Sequence, residues 1–110
     1  MKIFPKEEYY GNIEYKRCFY IKDHYRFQKY TTQLNYRLNE GDGKAIYIIG
    51  IEDDGTIIGL NNQEIDDNLN YFNNMCNELH VNMSCIMNCN LKETKFLIVT
   101  LKSERHKDSF

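Results

Sequence analysis

Tryptophan is absent from this chain of 110 residues, proline occurs once and glycine six times. So few breakers and linker residues, beside 42% hydrophobic residues, exclude a disordered or low-complexity chain and leave a globular one. No apolar run approaches the roughly 18 residues of a membrane helix. The opening residues, MKIFPK, carry no apolar core of a secretory signal. The expected compartment is therefore the cytoplasm, with no membrane partner. Charge of one sign is also lacking: 14 Lys and Arg against 16 Asp and Glu leave a net charge of −2, which excludes nucleic-acid binding by bulk positive charge and leaves only local patches.

Motifs are missing too. Neither G-x-x-x-x-G-K-[ST] nor G-x-G-x-x-G occurs, so the chain alone has no phosphate-cradling loop and no cofactor is expected in it. Its three histidines, His24, His80 and His106, have no evident Ser or Cys partner for nucleophilic catalysis. Of four cysteines, Cys85 and Cys89 fall in a strand-like run that separates them by roughly 13 Å, too far for a disulfide or a shared metal. A zinc site of His80, Cys85 and Cys89 would need a loop where the pattern alternates. No metal site is expected, and the thiols read as small apolar residues.

What is present is concentrated in residues 44–60, KAIYIIGIEDDGTIIGL. Two β-branched runs flank Glu52, Asp53, Asp54 and Gly55, and Asp-Gly between apolar runs predicts a tight β-hairpin. The first run is apolar on both faces, so its strand is expected at the sheet centre. Upstream, Ile13, Tyr15, Phe19 and Ile21 alternate with Glu14, Lys16 and Tyr20, predicting a first strand with a charged face. Asp23 is a suitable N-cap for a helix with apolar positions Phe27, Tyr30, Thr31, Leu34 and Leu38, stopped by Gly41. Asn61 and Glu64 have the spacing of a capping box opening a second helix, whose stripe is Ile65, Leu69, Phe72, Cys76 and Leu79. Residues 81–89 alternate and residues 95–101 are nearly all apolar, giving two more strands.

The expected fold is α+β in the order β-α-β-β-α-β-β, two amphipathic helices on a mixed sheet with a central hairpin. Residues 1–11 form an arm, 12–101 one domain and 102–110 a polar tail or linker.

Two sets of residues could carry function. Arg26, Lys29 and Arg37, with Gln33, fall on one helix face and could meet RNA phosphates or a partner; a solvated face is the simpler account. Glu14 and Lys16 share a strand face, and if that strand lies beside the hairpin, Glu14 and Asp53 could hold a divalent ion with Lys16 neutralising developing charge. The plainer alternative is a surface ion pair of Glu14 with Lys16, and a turn made by Asp53, Asp54 and Gly55.

Three segments together resemble a known family: Gly11-Asn12-Ile13-Glu14-Tyr15-Lys16; residues 33–47, QLNYRLNEGDGKAIY; and residues 49–55, IGIEDDG, followed by Gly59-Leu60. They resemble the N-terminal region of the translation-factor-like GTPases called GTP-binding proteins one and two. The resemblance implies an accessory domain without its own catalysis, working with a GTPase domain, ribosome or tRNA, with GTP and Mg held in a separate GTPase domain. A more distant likeness is to the Schlafen and divergent AlbA domain, some members of which cut structured RNA. It implies Glu14, Lys16 and Asp53 as a catalytic set; the further glutamate of that pattern would fall on Tyr9, with Glu8 one step out of register, which counts against nuclease activity. A third reading, from the Met, Cys and Phe of residues 81–101, is a protein-binding module or homodimer.

Overall fold

A computed structural model describes residues 2–20 and 23–104. Its elements are β1 (Ile13–Lys16), α1 (His24–Glu40), β2 (Lys44–Ile49), α2 (Asn62–Leu79), β3 (Val81–Leu91) and β4 (Thr94–Ser103). The four strands form one mixed sheet in the order β1-β2-β4-β3, with β1 parallel to β2 and the other pairs antiparallel. The fold is α+β as expected, but the order is β-α-β-α-β-β rather than β-α-β-β-α-β-β.

The missing strand is the second arm of the expected hairpin. Residues 44–49 do form the sheet centre, and both flanks of β2 are taken, by β1 and by β4. No ladder remains on β2 for residues 56–60. Gly50, at φ +100°, turns the chain off the sheet, and an added Cβ there would press on the Leu60 and Phe96 side chains. The acidic turn does exist: Glu52 N–H donates to Thr56 O, Gly55 N–H donates to Glu52 O, and Ile51 bridges Ile57. It is a folded-back loop lying over the sheet rather than part of it.

Both helices pack on one sheet face. Leu34 and Leu38 of α1 and Phe72, Met75 and Cys76 of α2 meet Ala45, Tyr47, Ile49, Leu97, Val99 and Leu101. The opposite face buries Tyr15, Ile48 and Phe96 under Phe4 of the N-terminal arm and under Ile51 and Ile57 of the acidic loop. The caps stand where the residues put them. Asp23 accepts from Arg26 N–H, Gly41 ends α1, and Asn61 with Glu64 forms the reciprocal capping box.

The first strand is shorter than its alternation suggested. It ends at Lys16, and Phe19 reaches the helix-side core from an irregular stretch; Ile21 lies outside the described residues. At the far end, β4 continues through Lys102 and Ser103, which the sequence assigned to the tail, and Ser103 N–H donates to Gly43 O; residues 105–110 lie outside the described residues. Residues 95–101 lie in an interior strand, so of residues 81–101 only 81–91 form an outer edge of the sheet.

Candidate functional site

The register of β1 against β2 decides what its charged residues face. Ile13 pairs with Ile46 and Glu14 with Tyr47. Tyr47 belongs to the helix-side core, so Glu14 and Lys16 point under α1 and not toward water. Glu14 is 4% exposed. The expected surface ion pair is corrected accordingly: Lys16 Nζ stands 3.9 Å from Glu14 Oε2, inside rather than outside, and 5.0 Å from the centroid of the Tyr30 ring.

The strong partner of Glu14 is Arg37. Its Nε donates to Glu14 Oε1 at 2.8 Å, Nη1 donates to the carbonyls of Tyr10 and Gly11, and Nη2 donates to Glu8 O. Arg37 is as buried as Glu14 and does not share the solvent-facing row of Arg26 and Lys29, which are exposed on α1. The helical stripe explains the inward turn: Leu34, Arg37 and Leu38 are consecutive positions of one buried face.

A second carboxylate arrives from the arm. Glu7 Oε2 accepts from Tyr15 N–H at 2.6 Å and lies 3.7 Å from Arg37 Nη2, while Glu7 N–H donates to Asp53 O at 2.8 Å. Burial pushes the Glu7 carboxyl up from 4.5 to about 7, with the charges of Glu14 and Asp53 adding to the rise and the Tyr15 N–H opposing it. Burial likewise lowers the Lys16 ammonium against the pull of Glu14, Glu7 and Asp53. Glu7, Glu14, Lys16, Arg37 and the Asp53 turn are thus one electrostatic unit, drawn from the arm, β1, α1 and the acidic loop.

The loop residues have separate tasks. Asp53 is exposed and serves through its carbonyl. Asp54 Oδ1 accepts from Thr56 N–H; hydrogen bonding from the Thr56 side chain, and then from that N–H, lowers the Asp54 pKa, and Glu52 lies 3.5 Å from Arg17 Nε. Gly55, at φ +96°, is pressed against the Phe4 carbonyl where no Cβ fits. Among the described residues no group of three His, Cys, Asp or Glu side chains is placed to hold a metal ion.

Two residues gave no functional signal in the sequence. Glu7 sits in a segment without period, and nothing local ties it to β1. Asn68, which the stripe of apolar residues on α2 does not include, is buried; it accepts from Phe19 N–H at 2.7 Å and donates to Glu64 O, pinning the stretch after β1.

The chain is 37% identical over 82 residues to GTP-binding protein 2 of Homo sapiens and of Mus musculus, a match covering 74% of this chain and 14% of each relative. It is related to a portion of GTP-binding protein 2. An uncharacterized protein of Acanthamoeba polyphaga mimivirus is 33% identical over 106 residues, covering 96% of this chain and 57% of that protein. The chain therefore spans little more than half of one relative and about one seventh of GTP-binding protein 2. No protein-family model matches it. No solved structure matches it either. Among the described residues no helix is long and apolar enough to cross a membrane.

Proposed function

We propose that this chain is an accessory domain of an elongation-factor-like GTPase, cytoplasmic, contributing RNA or ribosome contacts without catalysis of its own, with GTP and Mg bound by a separate GTPase domain. The observation that carries the reading is the Glu14–Arg37 pair. An arginine fork holding the central carboxylate and three arm carbonyls makes the acidic cluster a joint that fastens the arm to β1. The relationship to a portion of GTP-binding protein 2 supports the GTPase context. Arg26 and Lys29, exposed on α1, are the phosphate-facing candidates that remain. The test is fluorescence anisotropy with tRNA at low salt. Binding that weakens as salt rises, and that is lost in an Arg26→Glu, Lys29→Glu double variant, is expected. No binding to tRNA, to ribosomes or to the cognate GTPase domain would remove the reading.

A metal-dependent ribonuclease is the second reading, favoured by one observation: Glu7 brings to Glu14 the extra carboxylate that the Schlafen-like pattern would have placed at Tyr9. Glu14, Lys16 and Asp53 would be its working residues. Cleavage of tRNA with Mg²⁺ or Mn²⁺ that disappears in Asp53→Ala supports it; equal background from both proteins ends it.

A further inference from the structure

The two outer edges of the sheet are treated differently. Along β1 the arm is tied down: Glu7 caps Tyr15 N–H, and Tyr15 Oη donates to Pro5 O at 2.8 Å. The other edge, β3, runs for eleven residues, VNMSCIMNCNL, and contains none of the chain's Lys, Arg, Asp or Glu residues and no proline. Proteins usually blunt a free edge with charge, proline, shortness or a covering segment. Here the one irregularity is a bulge between Met83 and Cys85, beyond which Cys85 to Leu91 pair regularly with β4.

The direction of the free groups follows from the hairpin. Leu91 and Thr94 close a two-residue turn, so Leu91, Cys89 and Met87 direct their N–H and C=O groups to β4. Ile86, Asn88 and Asn90 then direct theirs outward. Among the described residues no loop or helix backbone bonds to these three. Ile86 and Met87 are 41% and 51% exposed, and Cys85 is exposed as well.

We propose that β3 is a dimerisation edge, on which a second copy of this chain lays its own β3 antiparallel to make one continuous sheet of two domains. A second copy fits for two reasons. An uncharged strand offers nothing to a charged partner, yet two identical uncharged strands meet without like charges opposed. Asn88 is also the midpoint of the regular segment, so a two-fold axis there matches that segment to itself with no overhang. Met87 then lies opposite Cys89 of the partner subunit and Cys85 opposite Leu91 of the partner subunit, both on the face away from the helices. Ile86 lies opposite Asn90 of the partner subunit on the other face. The strip is about 23 Å long, a small interface of modest affinity. It stands apart from the acidic joint and from Arg26 and Lys29.

Sedimentation velocity on the whole chain, across a concentration series and with reductant present because Cys85 is an exposed thiol, tests the idea. The mean mass is expected to rise from one copy to two. Ile86→Lys and Asn88→Lys, both on exposed positions, should each hold it at one copy with unchanged circular dichroism. Hydrogen exchange of the wild type is the measurement that needs no variant: the amides of Ile86, Asn88 and Asn90 should slow as concentration rises. A wild type that stays at one copy throughout, as it would if the edge served a foreign strand, overturns the proposal. So does doubling that survives a folded lysine variant, or exchange at those amides that ignores concentration.

Discussion

Arg37 lies three residues before the end of α1, and it decides what the acidic cluster does. Replacing it with alanine leaves Glu14 charged and buried and leaves the carbonyls of Glu8, Tyr10 and Gly11 without their donor. The expected loss is about 3–5 kcal/mol, read from urea unfolding. Lysine should recover little of it, since a point charge cannot serve four acceptors in the plane of a guanidinium. Glu7 makes a different prediction. Its carboxyl binds protons up to about pH 7 when folded but only to about 4.5 when unfolded. The folded state therefore holds the extra proton between those values, and stability should fall as pH rises from about 4.5 through about 7. The groups facing it are Glu14, Lys16, Arg37, Asp53, Tyr15 and Tyr47. Glu7→Gln should flatten the slope in a pH series of unfolding midpoints.

At the scale of elements, the turn between β3 and β4 holds the clearest local strain. Lys92 and Glu93 have φ of +50° and +66°, the pair of left-handed residues that a two-residue hairpin twist demands, and neither is Gly, Asn or Asp. Lys92→Asn with Glu93→Gly is expected to stabilise by about 1 kcal/mol, seen as a thermal midpoint higher by roughly 5 °C. The elements themselves were largely legible. Asp23, Gly41, and Asn61 with Glu64 act on backbone groups within one helical turn, so their effect can be read from neighbours alone. The acidic hairpin was legible only as a turn. Nothing within residues 44–60 reveals that β1 and β4 will occupy both sides of β2 and leave the second isoleucine run to pack over the sheet.

For the molecule as a whole, the N-terminal arm is structural. Its Phe4 ring lies 5.9 Å from Phe96 and 6.4 Å from Tyr15, Lys2 bridges Thr56, and its carbonyls hold Arg37. Deleting residues 2–8 should lower stability in urea unfolding by several kcal/mol, because it uncovers Tyr15 and Phe96 and takes Glu7 and the Glu8 carbonyl away from Arg37. The residues of the joint come from four separate segments, so the sequence could name Glu14, Lys16, Asp53 and Arg37 but could not say that the last neutralises the first. Alternation in a strand shows that two faces differ. It does not show which is wet, and here the charged face is the covered one, since Glu14 lies 4% exposed while Ile13 on the opposite face is 42% exposed.

The sequence by itself determined the helices, their caps, four of the five strands it suggested and the bend at Asp53 and Asp54, because periodicity and capping are forces between residues a few positions apart. The tertiary structure alone decided which strands flank β2, that Glu14 and Arg37 meet inside, and that the second isoleucine run lies across the sheet. Those outcomes turn on distant segments competing for the same hydrogen-bonding edge and the same apolar face, and no local stretch contains both competitors.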